Sequence, residues 1–183
     1  HALERSGVQA GESVLIQGTG GVSLFATRFA QALGARPIVI SSSEAKLETA
    51  RTAGAAETIN YRQVPDWEPV VRELTGGVGV DHVVEVVGGE HLNRSLEAVR
   101  TSGSIAFVGL LAGLSASIGT YRFVTKNVRI HGIETGSRAM FEAMNRFITA
   151  HGLRPVVSGT FGFESLADGL HHLAAGGHVG KLA

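Results

Sequence analysis

Ser13-Val14-Leu15-Ile16-Gln17 runs straight into Gly18-Thr19-Gly20-Gly21, and a helical apolar spacing starts at once from Gly21. This order of strand, glycine turn and helix restricts the fold more than any other feature of the chain. A short apolar run closed by glycine reads as a parallel strand buried on both faces. Gly18 and Gly20 lack a Cβ, so the backbone can turn sharply and approach a ligand closely. The helix opening near Gly21 aims its unpaired N–H groups and positive dipole end at the turn, the usual seat of a pyrophosphate. The pattern departs from G-x-G-x-x-G at its last position, where Ser23 replaces the glycine that packs helix on strand. Serine is small enough to keep that contact.

The same alternation continues downstream. Val22, Phe25, Ala26, Phe29, Ala30 and Leu33 recur at helical spacing, and Gly34 closes that helix. Pro37 to Ile40 is a second strand, ending in Ser41-Ser42-Ser43. Ser43 caps a helix with Glu44 in its first turn, and Gly54 ends it. Glu57 to Tyr61 is a half-polar third strand, suited to an edge. A helix from Asp66 to Leu74 stops at Gly76-Gly77, and Val80 to Val87 is a fourth strand. A helix from Glu90 to Val99 leads to a fifth strand, Gly103 to Gly109. Leu110 to Gly119 is a long loop, Asn127 to Ile133 a sixth strand, and Arg138 to His151 a helix.

Six strands alternating with helices predict an α/β fold: a Rossmann-type, doubly wound parallel sheet of about six strands with helices on both faces. It occupies residues 1–155, in which 1–10 read as the tail of a preceding helix. Residues 156–183 read as strand, helix and strand, and lead back toward a catalytic domain that these residues do not contain. The chain is thus expected to be a piece of a longer protein.

Composition narrows the partners. The formal net charge is zero with no basic stripe, which argues against nucleic acid and anionic membrane. The absence of cysteine excludes disulfides and any thiolate zinc site. No apolar run approaches a membrane span, so a cytoplasmic location is the default expectation.

The end of the second strand bears on the choice of nucleotide. A carboxylate there would accept hydrogen bonds from a ribose diol and repel a 2′-phosphate. Here stand Ser41, Ser42 and Ser43, with Lys46 one turn into the helix. Hydroxyls, a helix N-terminus and an ammonium together suit a phosphate, which favours NADP(H) over NAD(H). The plainer reading keeps the serines as loop and cap and Lys46 as a surface charge. Gln17 occupies the place where a methyltransferase carries an acid. Among the histidines, adjacent His171 and His172 point to different helix faces, and His82 and His131 lie inside strands, so structural roles are expected of them. No catalytic set emerges.

With these residues in hand, the chain resembles the cofactor-binding half of the medium-chain dehydrogenase/reductases, the superfamily of zinc-type alcohol dehydrogenases and quinone oxidoreductases. The resemblance rests on Gly11 to Ser23, Lys46-Leu47, Gly54-Ala55 and Ile59 to Arg62. It extends through Gly79 to Gly88, Gly103-Ser104-Ile105 with Val108-Gly109, and His178 to Lys181. It implies that Gly18, Thr19, Gly20, Gly21 and Val22 hold the pyrophosphate, with Ser41, Lys46 and Tyr61 around the 2′-phosphate. It assigns Val86, Val87 and Gly88 to the adenosine half. Val108, Gly109 and Leu110, with the backbone near Ile133 and Thr135, would meet the nicotinamide, and Lys181 would reach the phosphates.

The resemblance further implies an NADP(H)-binding half of an oxidoreductase. Hydride would pass between nicotinamide and an alcohol or carbonyl, a quinone or an enone, a small-molecule substrate held by the missing domain. Zinc in the full-length protein stays open, with no ligand in this chain, and the isolated chain is expected to be inactive. A homodimer through the sixth strand, about 128–133, is implied too. Two alternatives stand beside this: a non-catalytic nucleotide-binding module, and an enoyl reductase unit of a larger synthase.

Overall fold

The computed structural model describes residues 1–183. A short helix α1 (Ala2–Ser6) precedes β1 (Ser13–Gln17), α2 (Gly21–Ala32), β2 (Arg36–Ser41), α3 (Glu44–Thr52) and β3 (Glu57–Asn60). Then follow α4 (Trp67–Leu74), β4 (Val80–Glu85), α5 (His91–Ala98), β5 (Val99–Phe107), α6 (Thr120–Thr125), β6 (Arg129–Gly132) and α7 (Arg138–Ala150). The chain closes with β7 (Val157–Gly159), a 3-10 turn at Phe163–Ser165, α8 (Leu166–Ala174) and β8 (Lys181–Leu182).

Six strands form one parallel sheet in the order β3-β2-β1-β4-β5-β6, the doubly wound arrangement that the alternation predicts. Side-chain alternation along the strands decides what each face buries. Leu15, Ile38, Ile40, Val83 and Ile105 point to one face, where Trp67 and Val71 of α4 and Leu92 and Leu96 of α5 cover them. Val14, Ile16, Val39 and Val84 point to the other, against Leu24 and Ala30 of α2 and Leu47 and Ala50 of α3. The runs Val14–Ile16 and Ile38–Ile40 are therefore apolar at every position, because both faces of these strands are inside. The half-polar β3 lies at one edge, as its composition suggests.

Several boundaries differ from the sequence pattern, each for a backbone reason. The fourth strand ends at Glu85 rather than Val87, because side chains take the next N–H groups out of the ladder. Val86 N–H donates to Gln17 Oε1 at 3.3 Å and Val87 N–H to Glu85 Oε1 at 2.9 Å. The fifth strand begins at Val99, directly after α5, where Val99 pairs with Val80 and the register then shifts. It ends at Phe107, since Val108 and Gly109 both donate to the Glu85 carbonyl. The sixth strand starts at Arg129 because Asn127 is left-handed, with φ 51°. Helix α6 follows the predicted loop and lacks the spacing of an amphipathic helix; none of its residues is buried.

Residues 157–182 form a separate two-stranded parallel sheet, β7 with β8. It touches the main fold through a bridge between Gly180 and Gly20. No helix is long and apolar enough to cross a membrane.

Candidate functional site

All strands of the main sheet are parallel, so their carboxyl ends share one edge. The residues singled out from the sequence follow those ends one after another. Gly18 follows β1, Ser41 ends β2, Tyr61 follows β3, Val86 follows β4, Val108 follows β5 and Ile133 follows β6. In open α/β sheets, ligands settle outside this edge where the strand order reverses. Here that reversal lies between β1 and β4, neighbours in the sheet that open α2 and α5 on opposite faces.

The glycine turn has the geometry its sequence requires. Gly18 takes φ 75°, a left-handed conformation that costs glycine nothing. Gly20 is the N-cap of α2 in extended conformation with no side chain filling the cap. A Cβ on Gly20 would meet nothing within 4 Å, so open space lies over the turn. Ser23, in place of the last glycine, is buried and donates its hydroxyl to the Gln17 carbonyl at 2.6 Å. The substitution thus ties helix to strand rather than loosening them. Thr19 is also buried, and its hydroxyl shares a 3.3 Å hydrogen bond with that of Ser41. Val22 faces solvent.

At the β2 end, the hydroxyl of Ser41 therefore turns inward to Thr19. Ser42 is half-buried beside it, and Ser43 caps α3 by accepting from Lys46 N–H. The Lys46 ammonium donates to the Gly176 carbonyl at 3.3 Å. Tyr61 N–H donates to the Ser41 carbonyl at 3.0 Å, and the tyrosine ring is exposed. No carboxylate ends β2. Glu44 is occupied elsewhere, accepting from Asn60 Nδ2 at 2.9 Å.

The C-terminal segment reaches the turn as well. Gly180 N–H donates to the Thr19 carbonyl at 3.0 Å. The Lys181 side chain lies across the first turn of α2: a Cβ on Gly21 would stand 2.8 Å from its Nζ. An ammonium thus sits beside the unpaired N–H groups of α2, where an anion is stabilised by both.

On the other side of the reversal, Val86 and Gly88 pack directly on Gly109 and Leu110. A Cβ on Gly109 would run into the Val86 carbonyl, and one on Gly88 into the Gly109 carbonyl. Ile133 N–H donates to the Phe107 carbonyl at 2.9 Å, which sets the β6 end beside this pair, with Thr135 exposed beyond it.

One group between the two halves carries no motif of its own. Glu85, the last residue of β4, is fully buried. Its Oε1 accepts from Val87 N–H at 2.9 Å and Gly88 N–H at 3.0 Å. Its Oε2 accepts from Gln17 Nε2 at 2.7 Å and from the Ser95 hydroxyl. Burial drives this carboxyl upward, but the His91 ring, the Ser95 hydroxyl, Gly88 N–H and the Gln17 amide outweigh it and hold it at about 2. A glutamate inside an apolar strand signals a buried charge, but nothing local identifies its partners. Gln17 lies 68 residues from Glu85 and 78 from Ser95.

The polar groups at the opposite sheet edge form a second network. His82 bonds Ser104 and Glu12 at 2.7 and 2.8 Å, the satisfied core histidine that its strand position suggests. Asp81 accepts from Ser13 and Arg100; burial raises its carboxyl, and those donors lower it further than burial lifts it. His171 and His172 are exposed, and no group of three or more metal-ligating side chains converges anywhere in the chain.

Comparison with known proteins agrees with this geometry. A family model described as zinc-binding dehydrogenase matches residues 21–150. A zinc-type alcohol dehydrogenase-like protein of Schizosaccharomyces pombe is 39% identical over 181 residues, covering 96% of this chain and 52% of the relative. The crystal structure of an NAD-dependent alcohol dehydrogenase superposes with TM-score 0.87 at 33% identity, covering 99% of this chain and 53% of that one. A mycobacterial protein solved in complex with NADPH superposes with TM-score 0.81 at 28% identity, covering 96% and 57%. The chain spans about half the length of the curated relatives it matches.

Proposed function

Because the chain belongs to the zinc-binding dehydrogenase family, we propose that it forms the NADP(H)-binding half of an oxidoreductase. The substrate class is an alcohol or carbonyl, a quinone or an enone. Bound in the crevice, the nicotinamide cofactor supplies the hydride chemistry, and the protein orients it and excludes water.

The observation that carries the reading is the glycine turn at the strand-order reversal. Gly18 is left-handed, the space over Gly20 is open, and the Lys181 ammonium lies beside the first turn of α2. In this reading the pyrophosphate rests on Gly18 to Val22 and is neutralised by Lys181 and the α2 dipole. Val86 to Gly88 line the adenosine half. Val108 to Leu110, Ile133 and Thr135 border the nicotinamide.

The preference for NADP(H) rests on the β2 end. There Ser42, Lys46 and Tyr61 surround a position that has no carboxylate to repel a 2′-phosphate. The inward turn of the Ser41 hydroxyl leaves Lys46 as the chief charge, and a 2′-phosphate would compete with the Gly176 carbonyl for its ammonium. Titration of the intact protein with NADPH and NADH tests this. NADPH should bind more tightly, and Lys46→Ala should weaken NADPH by about tenfold, the scale of one charge-assisted phosphate contact, while sparing NADH. Tighter NADH, or NADPH binding indifferent to Lys46→Ala, refutes the phosphate seat.

Two structural proposals accompany this reading. Residues 156–183 lead back to a substrate domain; the separate β7–β8 sheet and the exposed Leu166, Leu170 and Leu173 on α8 support that. Two copies pair through β6, whose outer edge carries no partner strand, to form a homodimer. Light scattering on the intact protein should give twice the protomer mass, and a monomer would refute the pairing.

A further inference from the structure

The two halves of the crevice are covalently remote but meet at one buried side chain. Glu85 ends β4, Gln17 ends β1, and the two strands are neighbours at the point where the strand order reverses. Oε1 of Glu85 holds the N–H groups of Val87 and Gly88, which fixes the turn after β4. Oε2 holds the amide of Gln17 and the hydroxyl of Ser95, which brings in the end of β1 and the helix α5. The Gln17 amide in turn accepts from Val86 N–H at 3.3 Å through its oxygen and donates to Ser95 Oγ at 2.8 Å. Its backbone carbonyl receives the Ser23 hydroxyl at 2.6 Å, inside α2. His91 Nδ1 stands 3.5 Å from Oε2, within ion-pair reach but without a hydrogen bond. Each oxygen of Glu85 thus already holds two donors.

We propose that Glu85 is the positioning residue of the cofactor crevice: its two carboxylate oxygens lock the Val86–Gly88 turn to the Gln17 end of the glycine turn, fixing the spacing between the segments that flank the dinucleotide. The inference rests on the nucleotide-binding reading above and concerns a residue that itself touches no cofactor. A buried carboxylate is needed because four donors converge on it; an amide offers only one acceptor oxygen. With a glutamine at 85, the carboxamide NH₂ would face either the backbone N–H pair or the Gln17 and Ser95 donors. One of the two turns would then be released.

The test is a set of variants in the intact protein, read by NADPH titration and by thermal unfolding in parallel. Glu85→Gln should weaken NADPH binding by about tenfold or more, the scale on which small misplacements of a preorganised site act, while the folded signal persists. The double variant Gln17→Glu with Glu85→Gln exchanges acceptor and donor across the same contact and should recover part of that affinity. Ser95→Ala removes one donor, leaves the carboxylate in place, and should weaken binding by a smaller factor. It also serves where Glu85→Gln does not fold. A merely structural role would lower the unfolding temperature and leave the affinity of the folded protein unchanged. That result in Ser95→Ala or in Glu85→Gln overturns the inference while the functional reading stands. Failure of the unsubstituted protein to bind either NADPH or NADH overturns both.

Discussion

Acidification should remove a defined share of stability through Glu85, and the size follows from its surroundings. The carboxyl titrates at about 2 in the folded protein against an ordinary value of 4.5. A depressed folded value means that the contribution is fully present above 4.5 and is lost as pH falls toward and through 2. The full difference is about 3 kcal/mol, at 1.36 kcal/mol for each unit. At pH 3 the unfolded carboxyl is almost wholly protonated and the folded one still almost wholly ionised, so about 2 kcal/mol is gone by that point. Urea unfolding at pH 7, 5 and 3 measures this, with Glu85→Gln as the reference that has no charge to titrate. Glu68 and Asp81 also lie below their ordinary values; burial raises both, and Arg94 on Glu68 and Ser13 and Arg100 on Asp81 outweigh it. Both groups are common to the two proteins, so their pH dependence cancels in the comparison. The unsubstituted protein should lose about 2 kcal/mol more than Glu85→Gln between pH 7 and pH 3. Parallel losses would show that the buried network does not hold the charge as the distances imply.

Other substitutions probe the same framework. Gly109→Ala drives a Cβ into the Val86 carbonyl, backbone against backbone with no flexible side chain to yield. It should cost about 3 kcal/mol, and an unchanged melting temperature would contradict the close approach. Lys126 caps the C-terminal end of α5 by donating to the carbonyls of Leu96, Glu97 and Val99 at 2.7, 2.8 and 2.8 Å. Lys126→Met keeps the stem but removes the charge, and urea titration should register a loss of about 2 kcal/mol. Ser23→Ala deletes the hydrogen bond to the Gln17 carbonyl and should cost about 1 kcal/mol; a neutral result would mean that small size alone is what the position requires. Ser102 holds φ 58°, so Ser102→Gly should raise stability by about 0.5–1 kcal/mol, seen as a higher midpoint.

The parts of the fold that were legible in the sequence share one property: their cause is local. Val14 to Ile16 and Ile38 to Ile40 are apolar at every position, and a strand buried on both faces needs that. Gly18 and Gly34 mark left-handed turns, and Ser43 marks a cap that the structure makes through Lys46 N–H. Strand ends are less legible. Val86 and Val87 are good strand residues, yet the side chains of Gln17 and Glu85 divert their N–H groups. The Gln17 contact joins segments 69 residues apart, invisible to any local pattern, and the Glu85 contact is set by the network that orients its carboxylate. Helix α6 escaped for a related reason, because with no buried face it has no apolar period to show.

The site divides along the same line. The amino-acid order alone determined a parallel doubly wound sheet, the place of the glycine turn, and the absence of an acid after the second strand. These follow from alternation, from the freedom of glycine, and from which residue ends a strand. Only the tertiary structure decided that Ser41 turns inward to Thr19, that Lys46 and Lys181 meet the C-terminal segment and the glycine turn, and that Glu85 joins both halves of the crevice. A side chain's hydrogen-bond partner depends on which remote segments the sheet brings beside it. Strand order, not local sequence, makes Gln17 and Glu85 neighbours.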